Sequence, residues 1–321
     1  MATMTHDRSA ARLGPGIGLA VLSAASFGLS GPMGRGLMEA GWSSAAAVAV
    51  RVLLAGVVLL PAALVQLRGD WRLVRRNLPL VTGYGLVAVA GCQLAYFNAV
   101  ARMDVGVALL VEYTAPVAVV VWLWLRHGQR PGRLTVLGAA LALGGLVLVL
   151  DLLSGADVDT AGVLWALGAM VGAAAYFVLS AHDRDGLPGT ALAAGGLLLG
   201  GVVLLLAGAL GVVPLTATTR SVAFDGFTAP WWAPVLVLGV VTAALGYVTG
   251  IAATRRLGSR LASFVALTEV LMALVFAWLL LAQAPRPVQL AGGVLTLLGV
   301  VTVRLGERPT QTTGDSHIKE T

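Results

Sequence analysis

LVTGYGLVAVAGCQLAYFNAVAR, residues 80–102, has its counterpart in PVLVLGVVTAALGYVTGIAATRR, residues 234–256, and the constant offset of about 154 decides how the chain is built. Gly85 falls on Gly239, Ala99 on Ala253 and Arg102 on Arg256. Further along, Thr114 falls on Thr268, Trp124 on Trp278, Pro131 on Pro285 and Gly138 on Gly292, without a gap from about residue 80 to 150. Upstream, a shift of about 146 lays Gly16-Ile17 on Gly162-Val163 and Ser26-Phe27-Gly28 on Gly172-Ala173-Ala174. The chain is two copies of one unit, over 14–153 and 160–305. Internal duplication in a chain this apolar most often means a transporter with its site between the copies.

Hydrophobic residues make up 58% of the sequence and charged residues 11%, with a mean hydropathy of +0.89. A soluble domain carries about 25% charged residues, so this chain cannot cover itself with a polar surface. Its apolar runs reach about 20 residues, enough to cross roughly 30 Å of hydrocarbon. The partner this composition implies is a lipid bilayer. The net charge of +6 comes from basic residues scattered among short connections, which is no nucleic-acid footprint. Cys92 is the single cysteine, and His6, His127, His182 and His317 lie far apart. Disulfides within the chain, zinc spacings, phosphate-binding glycine loops and nucleophile elbows are all missing from the sequence. No cofactor, metal or enzymatic activity is expected.

Ten spans are predicted, at about 15–38, 43–66, 78–100, 104–125, 133–153, 161–182, 189–213, 232–253, 259–282 and 287–305. Each should be a helix, because an open strand edge cannot satisfy its backbone in lipid. Residues 1–13 form an N-terminal tail, and 306–321 a polar tail expected to be disordered. The run after Arg12 is too long for a signal-peptide core. The outer connection 214–231 reads as irregular.

Placing both termini in the cytoplasm puts 16 of the 21 Lys and Arg residues inside. Arg35, Arg102, Arg220 and Arg286 then lie outside, and Arg51 falls within a span. That bias fixes the orientation. Trp42, Trp231 and Trp232 fall at the outer boundary and Trp71 at the inner one, as interfacial aromatics should. Five spans per copy make the second copy enter from the opposite side, so the halves are inverted repeats. The loop at Arg102 faces out, while its mate at Arg255 and Arg256 faces in and gains Arg260.

The chain resembles the drug/metabolite transporter superfamily, in its ten-span form built from two EamA-like repeats. The first copy carries the resemblance in Ala25-Ser26-Phe27-Gly28, Val50-Arg51-Val52-Leu53-Leu54-Ala55, Ala95-Tyr96-Phe97-Asn98-Ala99-Val100 and Val111-Glu112-Tyr113-Thr114-Ala115-Pro116. Leu267-Thr268-Glu269-Val270 and Gly292-Gly293-Val294-Leu295-Thr296-Leu297-Leu298-Gly299 hold the matching places in the second. The Val-Glu-Tyr-Thr-Ala-Pro stretch is most similar to the threonine- and homoserine-exporting subgroup. Two departures stand out: Glu269 is followed by Val270 where relatives often have proline, and spans four and nine end in Gly128-Gln129 and Ala282-Gln283 rather than Gly-Glu. The resemblance implies alternating access around a midplane cavity lined by spans one, three, four, six, eight and nine. The expected function is a secondary active, proton-coupled exporter of amino acids or other small metabolites in the cell membrane. An uncoupled facilitator or a flippase for lipid-linked metabolites is the alternative. A homodimer is an open option.

Arg51, Glu112 and Glu269 are ionisable residues well inside spans. Each costs at least about 2.5–3.5 kcal/mol unless it faces protein or water. Glu269 maps onto Ala115, one turn from Glu112, so both glutamates address equivalent faces of the two copies. Arg51 and Glu112 sit at the same depth and are predicted to form a structural ion pair. Glu269, without a basic partner at its depth, is the first candidate for proton exchange and Glu112 the second. Pro116 and Pro32 lack amide hydrogens and free the carbonyls of Glu112 and Gly28. Ser26, Ser30, Gln93, Tyr96, Tyr113, Tyr176 and Tyr247 complete the candidate substrate cavity, with Gln93 mapping onto Tyr247.

Overall fold

The computed structural model describes residues 3–115, 132–149, 159–180, 186–266 and 268–306. Among them the first copy contains α1 (Thr3–Gly28), α2 (Ser30–Glu39), α3 (Ser44–Leu67), α4 (Trp71–Arg76), α5 (Leu78–Gly83), α6 (Cys92–Val100), α7 (Val105–Glu112) and α8 (Arg133–Val149). The second contains α9 (Thr160–Ser180), α10 (Gly189–Ala209), α11 (Trp232–Leu236), α12 (Gly246–Val265), α13 (Thr268–Leu281) and α14 (Pro287–Gly306). Six of the helical runs are long and apolar enough to cross a membrane: 14–39, 44–67, 78–100, 160–180, 189–209 and 232–257. The apolar helices at 133–145, 268–281 and 287–299 are shorter. Val65, Leu164 and Val178 stand 75%, 65% and 60% exposed on the outside of the bundle, a surface suited to lipid and not to water.

α3 shows how the sequence sets these elements. Ser43 caps it, accepting from the Ala46 amide, and Arg68 closes it in a left-handed conformation with φ 48°. Its 24 residues extend about 36 Å at 1.5 Å per residue. The small side chains Ala45, Ala47, Ala49 and Ala55 are buried and let neighbouring backbones approach, as helices in lipid require.

The copies meet reciprocally. α3 packs on α10 and α8 on α14, each pair joining the same helix of the two units. α1 packs on α12, while α9, its counterpart, packs on α6. Such exchange of partners is what a two-fold relation demands. Two hydrogen bonds even link residues separated by the repeat offset itself: Gln93 Nε2 donates to Tyr247 Oη at 3.2 Å, and Thr296 Oγ1 to the Ala142 carbonyl at 3.5 Å.

Interruptions also recur in register. Tyr84–Gly91 between α5 and α6 is π-helical, and so is Val237–Leu245 between α11 and α12. Moved by the offset, the first segment lands on the second. Close contact accompanies the widened turns: a Cβ on Gly85 would lie 2.8 Å from the Gly196 carbonyl of α10. The helix carrying Glu112 breaks at Tyr113 and Thr114, and the helix before Glu269 ends in a turn at Ala266, beside the place that the offset gives for that break. The first span is interrupted at Leu29, between α1 and α2 and three residues before Pro32.

Four expectations need correction or limitation. The connection placed at 254–258 stays helical, because α12 runs unbroken to Val265. Its counterpart at 101–104 turns, with Asp104 in an extended N-cap conformation. α1 begins at Thr3, so helix replaces most of the 1–13 tail. The connection 214–231 is not wholly irregular: Val222–Phe224 and Phe227–Ala229 form a hairpin of β1 and β2 across Asp225-Gly226, with Gly226 at φ 80°, the dipeptide such turns favour. Pro116, the end of span four and the tail 307–321 lie outside the described residues.

Candidate functional site: a cavity between the copies

A cavity of about 70 Å³ lies where the two copies face one another, room for several waters. Each wall is one face of a helix. Ala20, Ser23, Ala24 and Phe27 project from α1 at i, i+3, i+4 and i+7, and Ala173, Tyr176 and Phe177 repeat the pattern on α9. Tyr247, Gly250, Ala253 and Thr254 come from α12, Ala88, Cys92 and Gln93 from the third span of the first copy. Glu112 and Tyr113 stand at the break after α7, Ala266 and Glu269 at the break before α13.

The two acids hold different partners. Tyr113 Oη donates to Glu269 Oε2 at 2.6 Å, a bond from the first copy to the second. Cys92 Sγ donates to Glu112 Oε1 at 3.7 Å, a weak contact for a thiol. Glu269 sits in the first turn of α13, where the helix dipole favours negative charge. The backbone of α1 presses against that turn: a Cβ on Gly28 would lie 3.2 Å from the Glu269 carbonyl.

Aromatic rings form the opposite wall. Phe27 meets Tyr247 edge-on at 5.1 Å, and Tyr176 meets Tyr247 at 5.7 Å. Gln93 reaches Tyr247 from one side and accepts from Arg51 on the other. Ser23 Oγ donates to the Gly246 carbonyl at 2.8 Å. Among the described residues, none that lines the cavity is basic. The surroundings are therefore acidic, aromatic and small, and suit an amphipathic guest with a positive group.

Of the residues expected from the sequence, Gln93, Glu112, Tyr113, Tyr176, Tyr247 and Glu269 line this cavity together. Ser26, Ser30 and Tyr96 do not, although all three are buried. Ser26 lies on the wrong face of α1, Ser30 accepts from Arg51 at 2.6 Å, and Tyr96 packs its ring on Phe97. The expected Arg51–Glu112 ion pair is not formed. Arg51 Nη1 binds Ser30 and Gln93, and Nη2 reaches Thr242 Oγ1 at 3.1 Å. Equal depth did not mean contact, because these two side chains leave their helices in different directions. Ser23, Phe27, Cys92, Phe177 and Thr254 were missed. The α1 stripe at 20, 23, 24 and 27 was readable, had small residues been weighed beside polar ones.

One family model, described as the EamA-like transporter family, matches the chain twice, at residues 14–151 and 160–305. A crystal structure titled only as that of a protein is similar at a TM-score of 0.64 and 20% identity, covering 94% of this chain and 100% of its own. That likeness shows the fold alone. None of the curated proteins compared matches the chain. Nothing in these matches supports the threonine- and homoserine-exporting subgroup. Apolar helices of spanning length, a duplicated unit and a cavity between the copies agree with the double family match, and the chain belongs to the EamA-like transporter family, membrane transporters of small molecules.

Proposed function

We propose that the chain is a secondary active exporter that exchanges protons for a small polar or amphipathic metabolite, with an amino acid as the favoured cargo. The observation that carries this reading is the pair of acids, Glu112 and Glu269, one from each copy, lining a single cavity with Tyr113 bridging the copies to Glu269. A carboxyl that can be reached from the cavity and handed between a tyrosine and a cargo ammonium is a suitable exchange site. Glu269 fills that role, and Glu112 assists by adding negative character. The ten predicted spans would form two inverted five-helix bundles with both termini in the cytoplasm of a plasma membrane. Rocking of one bundle against the other would expose the cavity alternately. The reading contains no catalytic step and no cofactor.

Efflux and counterflow in proteoliposomes test it. Wild-type transport should follow an imposed pH gradient and stop with an uncoupler. Glu269→Gln should abolish gradient-driven accumulation while leaving counterflow measurable, since exchange of cargo for cargo needs no net proton movement. Normal gradient-driven transport by Glu269→Gln at every pH would remove the assignment. Uncoupler-insensitive transport by the wild type would favour facilitated diffusion or flipping of a lipid-linked cargo.

A further inference from the structure

Among the described residues Arg51 is a cation buried without an ion-pair partner. It is 1% exposed, and its nitrogens contact only neutral groups: Ser30, Gln93 and Thr242 through oxygen, and the Phe97 ring, whose centroid lies 5.2 Å from Cζ. Its Nε is buried with no hydrogen-bond partner. Among the described residues no carboxylate lies within ion-pair distance of it. A guanidinium at membrane depth is costly unless paired. A neutral side chain could bridge the same three oxygens without that cost, so tying helices together does not account for a charge here. The guanidinium fork is shaped for a carboxylate, which it binds through two parallel N–H donors.

Gln93 connects this cation to the cavity. Its Oε1 accepts from Arg51 at 2.7 Å, its Nε2 donates to Tyr247, and the side chain itself lines the cavity wall. Rotation of that one amide would uncover the Nη1 donor to a guest. The same cavity presents two acids, Glu112 and Glu269.

We infer that Arg51 is a carboxylate-binding subsite screened by Gln93, and that the cargo is a zwitterion spanning it, its carboxylate at Arg51 and its ammonium at Glu269 and Glu112. This rests on the export reading for the cavity but not on proton coupling. It excludes simple amines and simple carboxylic acids as preferred cargo.

Ligand-induced thermal stabilisation of the purified full chain in detergent tests it without a transport assay. The ligands are a panel of L-amino acids, each beside the amine lacking its carboxylate and the acid lacking its amino group. Wild type should bind at least one amino acid about tenfold more tightly than either partner compound. Arg51→Gln should lose that advantage, its affinity for the amino acid falling to that for the amine, which itself changes little. Arg51→Lys, which keeps the charge but not the fork, should recover part of it. Equal loss of amine and amino acid binding in Arg51→Gln would mean a purely structural arginine and overturn the inference. So would amino-acid binding by Arg51→Gln at wild-type strength, or a wild type that binds no amino acid or prefers the amine. A wild type that binds zwitterions as described yet shows uncoupler-insensitive efflux would remove the proton step alone.

Discussion

Tyr113 and Glu269 show how much one side-chain contact does when it crosses between the copies. The 2.6 Å bond joins the break after α7 to the first turn of α13, so it fixes a carboxyl and holds the halves in this arrangement together. Removing the phenol oxygen leaves a carboxyl oxygen without its donor, at a cost of about 1–2 kcal/mol. Tyr113→Phe should lower the thermal midpoint by a few degrees. Combined with Glu269→Gln it should cost less than the sum of the single changes, since both delete one contact. Strict additivity in that double-mutant cycle would show that the bond contributes nothing. Residue-level legibility was uneven for a physical reason. Sequence gives the depth of a side chain in the membrane well, which located Glu112, Glu269 and Arg51 as interior residues. It gives the direction of that side chain poorly when the whole helix is apolar. Arg51 was therefore assigned Glu112 at its own depth, whereas it turns to Ser30, Gln93 and Thr242.

At the level of elements, close backbone approach decides where helices can sit. Gly196 of α10 faces Tyr84 of the π-helical segment, and a Cβ there would lie 2.6 Å from the ring's Cδ1. Tyr84 is fully buried and has no room to retreat. Gly196→Leu should therefore destabilise the protein by about 1–3 kcal/mol through overpacking. Gly18→Ala, where nothing lies within 4 Å, should be neutral or slightly stabilising through helix propensity. Thermal midpoints of the two variants in detergent check the contrast, and equal effects would contradict this packing. The duplicated helices and the elements around the cavity were legible, because apolar run length and internal homology are linear in the sequence. The π-helical segments were not. In Tyr84–Gly91 only a change of period marks the widened turn, and a run of glycine, alanine, valine and leucine has no polar face against which a period can be measured. The hairpin at 222–229 was legible in principle through Asp225-Gly226 and was overlooked inside a long connection.

For the whole molecule, the decisive question is whether the copies are inverted, since only then do Glu112 and Glu269 approach one cavity from opposed directions. The connection 214–231 covers one end of the bundle. Trp42 stacks on Trp231 at 6.2 Å and donates to the Thr218 carbonyl at 2.9 Å, Ser43 donates to the Pro214 carbonyl at 2.6 Å, and the Asp225 amide reaches the Leu280 carbonyl at 2.8 Å. The cavity instead runs from Gln93 and Tyr247 past Ser23 and Thr254 towards the other end of α1 and α12. In the proposed orientation, with both termini in the cytoplasm, this arrangement would be closed outward and reach inward. Arg102 and Arg256 provide the test, being exposed and separated by the repeat offset. In parallel repeats, sites at the same place in each copy share a side of the membrane; in inverted repeats they lie on opposite sides. In a Cys92→Ser background, Arg102→Cys should react with a membrane-impermeant maleimide added outside intact cells. Arg256→Cys should react only after the membrane is opened. Labelling of both from one side would make the repeats parallel, and the acids could not then face each other across a shared cavity as proposed. Labelling on opposite sides, but with Arg102→Cys inside, would keep the inversion and reverse the orientation, turning the inward-reaching cavity into an outward-reaching one.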